Sequence, residues 1–290
     1  MEYIPIDNKS ALNKVKGSFP YFWDLNIYRG CANGCKYCFA LYSHDYLNDS
    51  SFFGSVYYKK NIIECLEKEL SKKNWKKEIV NIGGVTDSYQ EVEEHLKLMP
   101  EVLKLMIKYK TPVTISTKST LILRDIELIR ELAKVTDVSI AFTITTIDED
   151  LRKKLEPNTS TSMDRFKAIE ELKNTGCTVG VHMMPIIPYL TDNWDNLNKI
   201  FELSNRVGAD YVLPALINLR GKTKHYFLNF LREYDIDKYN KFNSLYKNNY
   251  KEYRNKLYKE LYKLKKKHNI SYDYTVGISK ENNQQLSLLE

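Results

Sequence analysis

Six short apolar runs alternate with longer amphipathic stretches along most of this 290-residue chain, and that alternation restricts its fold more than any other feature. The runs fall at residues 25–28, 78–84, 112–117, 137–144, 177–183 and 209–215. Between them apolar positions recur at helical spacing, as Ile62, Ile63, Leu66 and Leu70 do, and predict helices over 56–73, 91–108, 122–134, 164–174 and 195–206. Strands joined by helical crossovers form a parallel sheet, so the expected class is α/β, an incomplete TIM-like barrel of six βα units, (βα)6. Chemistry in such barrels gathers at the C-terminal ends of the strands. Residues 1–22 read as an irregular lead-in, 23–220 as the barrel and 221–290 as a basic, helical C-terminal extension. Within the extension Tyr246, Tyr250, Tyr253, Leu257, Leu261 and Leu264 step by three and four, an apolar stripe that should dock on the barrel. Residues 279–290 read as a polar, frayed tail.

The first run leads into a loop carrying Cys31, Cys35 and Cys38, three thiols within eight residues. Gly30 and Gly34 loosen the backbone there, so the loop can wrap a compact object. An iron–sulfur cube normally takes four thiolates, and three leave one iron open to a substrate or cofactor. The competing reading is a Cys3His zinc site completed by His44. Cys65 and Cys177 stand alone, make no disulfide framework and read as buried small hydrophobes.

The net charge of +7 is unevenly spread. Residues 220–268 hold fifteen Lys or Arg against five Asp or Glu, which suggests an anionic partner such as nucleic acid, or simply well-solvated helices. No stretch approaches the eighteen or so apolar residues of a membrane span, and the first residues have no signal-peptide character, so no membrane partner and a cytoplasmic location are expected.

Candidate site residues cluster where the expected strands end. Gly83 and Gly84 permit close approach of a ligand to the backbone, followed by Thr86 and Asp87. Ser116 and Lys118 end the third strand, and a lone cation at a barrel mouth suits a carboxylate. Thr143 and Thr145 end the fourth, and Glu156 follows it as a clamp or a loop fastener. His182, near the end of the fifth, faces either the site or the core. Tyr89 and Tyr189 are candidate radical relays among 22 tyrosines.

The C-x3-C-x2-C spacing, with Tyr37 just before the third Cys, resembles the signature of the radical S-adenosylmethionine (SAM) superfamily. The resemblance sharpens toward the spore photoproduct lyase-like, DNA repair-related branch. Asn26, Tyr28, Arg29, Gly30 and the three-Cys loop, then Ile82 to Gln90 with Glu93, Thr117 with Lys118, Leu155 to Pro157, Arg165, and Pro185 and Pro188 with Asp192 follow that branch's order. The match runs from about Ser10 to Pro214. It implies a [4Fe–4S] cluster on Cys31, Cys35 and Cys38, with SAM chelating the fourth iron and reductively cleaved to a 5′-deoxyadenosyl radical that abstracts hydrogen. It implies SAM contacts from Tyr37, the Gly83–Gly84 turn, Thr86, Asp87, Ser116, Lys118 and Thr143, and an electron donor such as flavodoxin or ferredoxin. The branch's namesake splits a thymine dimer in DNA with a hydrogen-donating Cys in the turn after its second strand. This chain has Gly84 and Val85 there, so that hydrogen-return route is not implied. Three purposes follow: an enzyme on nucleic acid, an enzyme on a small metabolite or peptide, or a non-enzymatic metal-binding protein.

Overall fold

In this computed structural model, residues 1–17, 19–47 and 52–275 are described. The N-terminal part holds β1 (Glu2–Ile6), β2 (Leu12–Lys14), β3 (Trp23–Leu25) and β4 (Tyr28–Arg29). A 3-10 helix at Phe39–Leu47 then leads toward β5 (Ser55–Lys59). Next come α1 (Ile62–Leu70), β6 (Val80–Ile82), α2 (Glu93–Leu96), α3 (Leu98–Tyr109), β7 (Val113–Thr117) and α4 (Ile126–Ala133). They are followed by β8 (Val138–Thr143), α5 (Glu149–Leu155), α6 (Ser162–Lys173), β9 (Thr178–Ile186), α7 (Trp194–Arg206) and β10 (Tyr211–Leu216). The chain continues through α8 (Gly221–Tyr234), α9 (Ile236–Ser244), a short π-helical segment and α10 (Tyr250–His268).

The main sheet has the order β10-β9-β8-β7-β6-β3-β2. From β3 to β10 every neighbouring pair is parallel, and β2 adds an antiparallel edge to β3. These are the six expected barrel strands, and the barrel stays open between β10 and β2. All six residues of β8 are buried, as a parallel strand covered on both faces requires. The crossover helices start where the chemistry of capping places them. Thr161 accepts from the Asp164 amide ahead of α6, and Asn193 from the Asn196 amide ahead of α7.

Several local expectations are corrected. Residues 1–22 are not irregular, since they supply β1 and β2. The helix expected over 56–73 is β5 followed by α1: Val56, Tyr57 and Tyr58 pair with β1, which lies some fifty residues earlier, and β5 also pairs with β4. Local periodicity carries no trace of that distant partner. The run at 25–28 divides, Leu25 ending β3 in the main sheet and Tyr28 starting β4 in the small one. The single helix over 91–108 breaks at Lys97, whose φ of 50° is left-handed. The buried Glu93 carboxylate drives the break by accepting the Leu98 and Met99 amides, which open α3. The short helix α5 was not anticipated; Asp148 caps it by accepting from the Asp150 and Leu151 amides.

The apolar stripe of the C-terminal helices packs as expected at Leu257, Leu261 and Leu264, which join the main core. Phe227, Leu231 and Phe242 from α8 and α9 enclose a second core with Cys35, Tyr37 and Leu151. The tail at 279–290 lies outside the described residues.

Candidate active site at the strand ends

The cysteine loop is fastened to the segment after β6 residue by residue. Tyr28 donates from its hydroxyl to Glu93 at 2.6 Å, and Thr86 donates to the Gly30 carbonyl at 2.6 Å. Gln90 accepts from the Ala32 amide at 2.8 Å, and the Asn33 amide group donates to Asp87 at 2.9 Å. The loop's other flank is held by the end of α5 and the segment after it. The Lys36 amide donates to the Leu155 carbonyl at 2.9 Å, and the Asn158 side chain to the Ala32 carbonyl at 2.8 Å. Gly34 (φ 67°) lies so close to Pro157 that an added Cβ would stand 3.0 Å from its ring. On a third side Thr223 of α8 donates to the Cys38 carbonyl at 2.8 Å.

Held this way, Cys31 and Cys35 are buried and Cys38 is half-buried. All three thiols are pushed up to about 12, first by burial, with the Asp87 charge adding at Cys31, Glu156 at Cys35 and the Cys35 thiolate at Cys38. Such thiols give up their protons to a cationic centre rather than to water. Three thiols within eight residues, on a loop fastened on three sides, are the donor set that an iron–sulfur cluster takes. The set fits zinc less well: the buried His44 ring packs edge-on against Phe52 and Tyr57, with centroids at 4.9 and 5.7 Å. Among the described residues no group of three or more His, Cys, Asp or Glu is arranged to hold a metal ion. A cube takes each thiolate on a different iron, so its ligands ring a body and need not converge on a point. The remaining thiols stand apart. Cys65 lies on α1, and Cys177 precedes β9 at the end of the barrel away from this loop.

Lys118 sits amid this assembly. Burial pulls its ammonium down, but Cys35, Glu156 and Asp87 outweigh that and hold it above its ordinary value. It lies 5.8 Å from the centre of the Tyr37 ring. Asp87 is a bracket: its two oxygens accept from Asn33, the Tyr89 amide, the Thr117 hydroxyl and the Lys118 amide. It ties the ends of β6 and β7 to the cysteine loop, and its four donors leave little room for a ligand ammonium. Tyr37 likewise spends its hydroxyl on Glu156. Glu156 and Arg165, both fully buried, pair at 2.7 Å. Burial opposes the Glu156 charge, yet Arg165, Lys118 and the Tyr37 hydroxyl keep its carboxyl below the usual glutamate range. Arg165 also donates to the Thr143 carbonyl at 2.7 Å, fixing the end of β8.

Gly83 (φ 85°) turns the chain after β6, and Gly84 leaves no room for a side chain beside Asn81 and Asp24. Thr143 pairs in register with His182 of β9. The His182 ring lies beside Tyr211, its Nε2 3.5 Å from the Tyr211 hydroxyl, and burial and then the Lys118 charge lower it to about 4, so it is a neutral imidazole at neutral pH. Tyr89 is buried in the main core, whereas Tyr189 is 38% exposed in the loop after β9. Asn33, Asn158 and Thr223 were not singled out from the sequence, and Gln90 only as a member of the motif after β6. Their partners lie 54 to 185 residues away, and single polar residues carry no periodic signal.

Residues 25–200 match the model of the Radical SAM superfamily. An uncharacterised protein of Mycobacterium tuberculosis is 34% identical over 244 residues, 82% of this chain and 72% of the relative. One from Methanocaldococcus jannaschii is 30% identical over 194 residues, covering 66% and 70%. Among solved structures, spore photoproduct lyase complexed with dinucleoside spore photoproduct superposes with a TM-score of 0.61 at 14% identity. That alignment covers 79% of this chain and 66% of the lyase. Spore photoproduct lyase with bound AdoMet and the same dinucleoside gives 0.60 at 13% identity, covering 78% of this chain and 65% of the lyase. The chain thus spans about two thirds of the lyase it resembles in fold. Among the described residues no helix is long and apolar enough to cross a membrane. With the thiol loop clamped at the strand ends of a six-stranded parallel barrel and most of that barrel matched, the chain belongs to the radical SAM superfamily, which works through an iron–sulfur cluster and SAM.

Proposed function

We propose that this chain is a radical SAM enzyme whose Cys31, Cys35 and Cys38 hold a [4Fe–4S] cluster and whose substrate is a nucleic acid. The observation that carries the enzyme reading is the three-thiol loop bolted on one flank to the segment after β6 and on the other to the end of α5 and the residues after it, with Lys118 beside it. When bound, the cluster and SAM supply an electron and a 5′-deoxyadenosyl radical for hydrogen abstraction. The residues do the positioning. Lys118 offers its charge to the SAM carboxylate, while the Gly83–Gly84 turn and Thr86 leave backbone groups for the SAM amine. Ser116 and Thr143 line the neighbouring strand ends, and the Tyr37 ring packs against Lys118. Asp87 and the Glu156–Arg165 pair keep these elements in place.

The nucleic-acid reading is favoured by the outer face of α10. Tyr258 and Tyr262 stand one turn apart, 37% and 52% exposed. The Arg254 guanidinium lies 5.6 Å over the Tyr258 ring and the Lys266 ammonium 4.6 Å over that of Tyr262. Exposed rings flanked by cations stack bases and neutralise phosphates. The test is anaerobic SAM cleavage by reduced, reconstituted protein against a Cys31→Ala/Cys35→Ala/Cys38→Ala variant, with and without damaged DNA and RNA. Cleavage by the wild type alone, stimulated by one polymer, supports both parts. Oligonucleotide binding should weaken with salt and with charge reversal of Lys263, Lys265, Lys266 and Lys267. Cleavage indifferent to every polymer would discard the nucleic-acid part and return the substrate to the small-molecule or peptide class.

A further inference from the structure

The last helix, α10, runs along the barrel from its mouth to its far end. Just before it Tyr246 donates to the Ile217 carbonyl, directly after β10, at 3.3 Å. Within its first turn Tyr253 donates to Asp192, in the loop after β9, at 2.6 Å. Past its end Ser271 bridges to Tyr211, the first residue of β10. The helix therefore leads away from the strand ends where the thiol loop lies.

Its outer face carries the exposed rings of Tyr258 and Tyr262, beside a surface groove of about 610 Å³ that Asn255, Lys259 and Lys263 also line. The Arg254 over Tyr258 comes from the turn before and the Lys266 over Tyr262 from the turn after, so neither cation belongs to the turn between the rings. Glu260 is the one acid between Arg254 and His268. It lies two residues from each ring, about 160° round the helix, and is paired with Lys263 at 2.7 Å. A strip of rings and cations with no acid among them complements a polyanion.

The spacing of the rings decides which form of polyanion fits. Four residues of helix advance about 6 Å, whereas stacked bases follow one another at about 3.4 Å. Neighbouring bases meet both rings only when drawn apart from each other. In a duplex each base is covered above and below and offers no face. A single strand has faces to give, and every base has one.

We infer that this face of α10 binds an unpaired stretch of nucleic acid and lays it toward the barrel mouth. This rests on the nucleic-acid reading above and narrows the substrate to a base in a single strand or loop of DNA or RNA. Tyr258 stands twelve residues beyond Tyr246, about 18 Å along the helix, so at about 6 Å each roughly three further nucleotides reach the mouth.

The test uses the cluster-loaded full chain under anaerobic conditions. The probes are end-labelled dT and rU strands of about eight nucleotides and a duplex of the same length, followed by fluorescence anisotropy. The strands should bind more tightly than the duplex, and the better of the two assigns DNA or RNA. Tyr258→Ala and Tyr262→Ala should each weaken strand binding by roughly 5- to 150-fold, the scale of one base stacked on one ring. Tyr258→Phe and Tyr262→Phe should keep wild-type affinity, as should Tyr3→Ala, which removes a comparably exposed ring on β1. A fluorophore at one end of the strand should dim in cluster-loaded but not in apo protein, because the cluster absorbs visible light. Duplex binding as tight as strand binding would overturn the proposal, and so would wild-type strand affinity in Tyr258→Ala/Tyr262→Ala; both results leave the nucleic-acid reading standing. No dimming with the label at either end would overturn the path to the mouth. Protein that binds none of the three probes would instead overturn the nucleic-acid reading, and the role of this face with it.

Discussion

At the scale of residues, the buried pair Glu156–Arg165 shows how this site is kept in order. Neither side chain reaches solvent, and between them they meet Tyr37, Thr145, Thr159, Ser160 and the Thr143 carbonyl. Removing one partner strands the other charge, so Arg165→Met should cost about 3–5 kcal/mol in urea unfolding, with Arg165→Met/Glu156→Met recovering much of it. Conventional sequence reading finds both residues only as members of an ordered motif; the pairing itself is invisible there. His182 gives a pH dependence with a definite sign. Its folded value is lowered to about 4, below the ordinary 6.5, so the unfolded chain takes up the proton first and stability falls as pH drops from 6.5 toward 4. His182→Gln should flatten that part of the profile. Urea midpoints at pH 7.5, 5.5 and 4.5 measure it, and an unaltered slope would place the proton uptake elsewhere.

At the scale of elements, α10 carries two unlike faces on one helix. Leu261 is fully buried against the barrel core while Tyr262, the next residue, is 52% exposed. Leu261→Ala should therefore cost about 2–5 kcal/mol, and Tyr262→Ala no more than about 0.5 kcal/mol, in chemical denaturation. Equal effects would mean that the helix is not docked by its apolar stripe. This element was legible in advance because a period of three and four is written into neighbouring positions. The stretch 56–73 was not. Its first residues have a strand's composition, and their partner β1 is reached only through the fold, so a local reading extended α1 backwards over β5. The broken helix at Lys97 failed for a related reason. The carboxylate that caps α3 is Glu93, and it is drawn inward by Tyr28 and Arg124.

At the scale of the whole molecule, a bound cluster adds its binding free energy to that of the fold, since its ligands sit on a loop tied to the ends of β6 and β7, to the segment after α5 and to α8. Stripping iron with a chelator should lower the thermal midpoint of the wild type and leave that of the Cys31→Ala/Cys35→Ala/Cys38→Ala variant unmoved; calorimetry before and after chelation decides it. The alternation of strand and helix and the three-thiol spacing were determined by sequence alone, because each is a pattern among near neighbours in the chain. From them came the six parallel strands, the placement of the chemistry at their ends and the family resemblance. Only the tertiary structure decided what holds that chemistry together. It assigned Asp87 to bracketing rather than to an open charge, spent the Tyr37 hydroxyl on Glu156, and set Gln90, Asn33, Asn158 and Thr223 around the cysteine loop. These contacts join residues up to 185 positions apart. They depend on which strand ends arrive side by side, and chain-local periodicity holds no information about that.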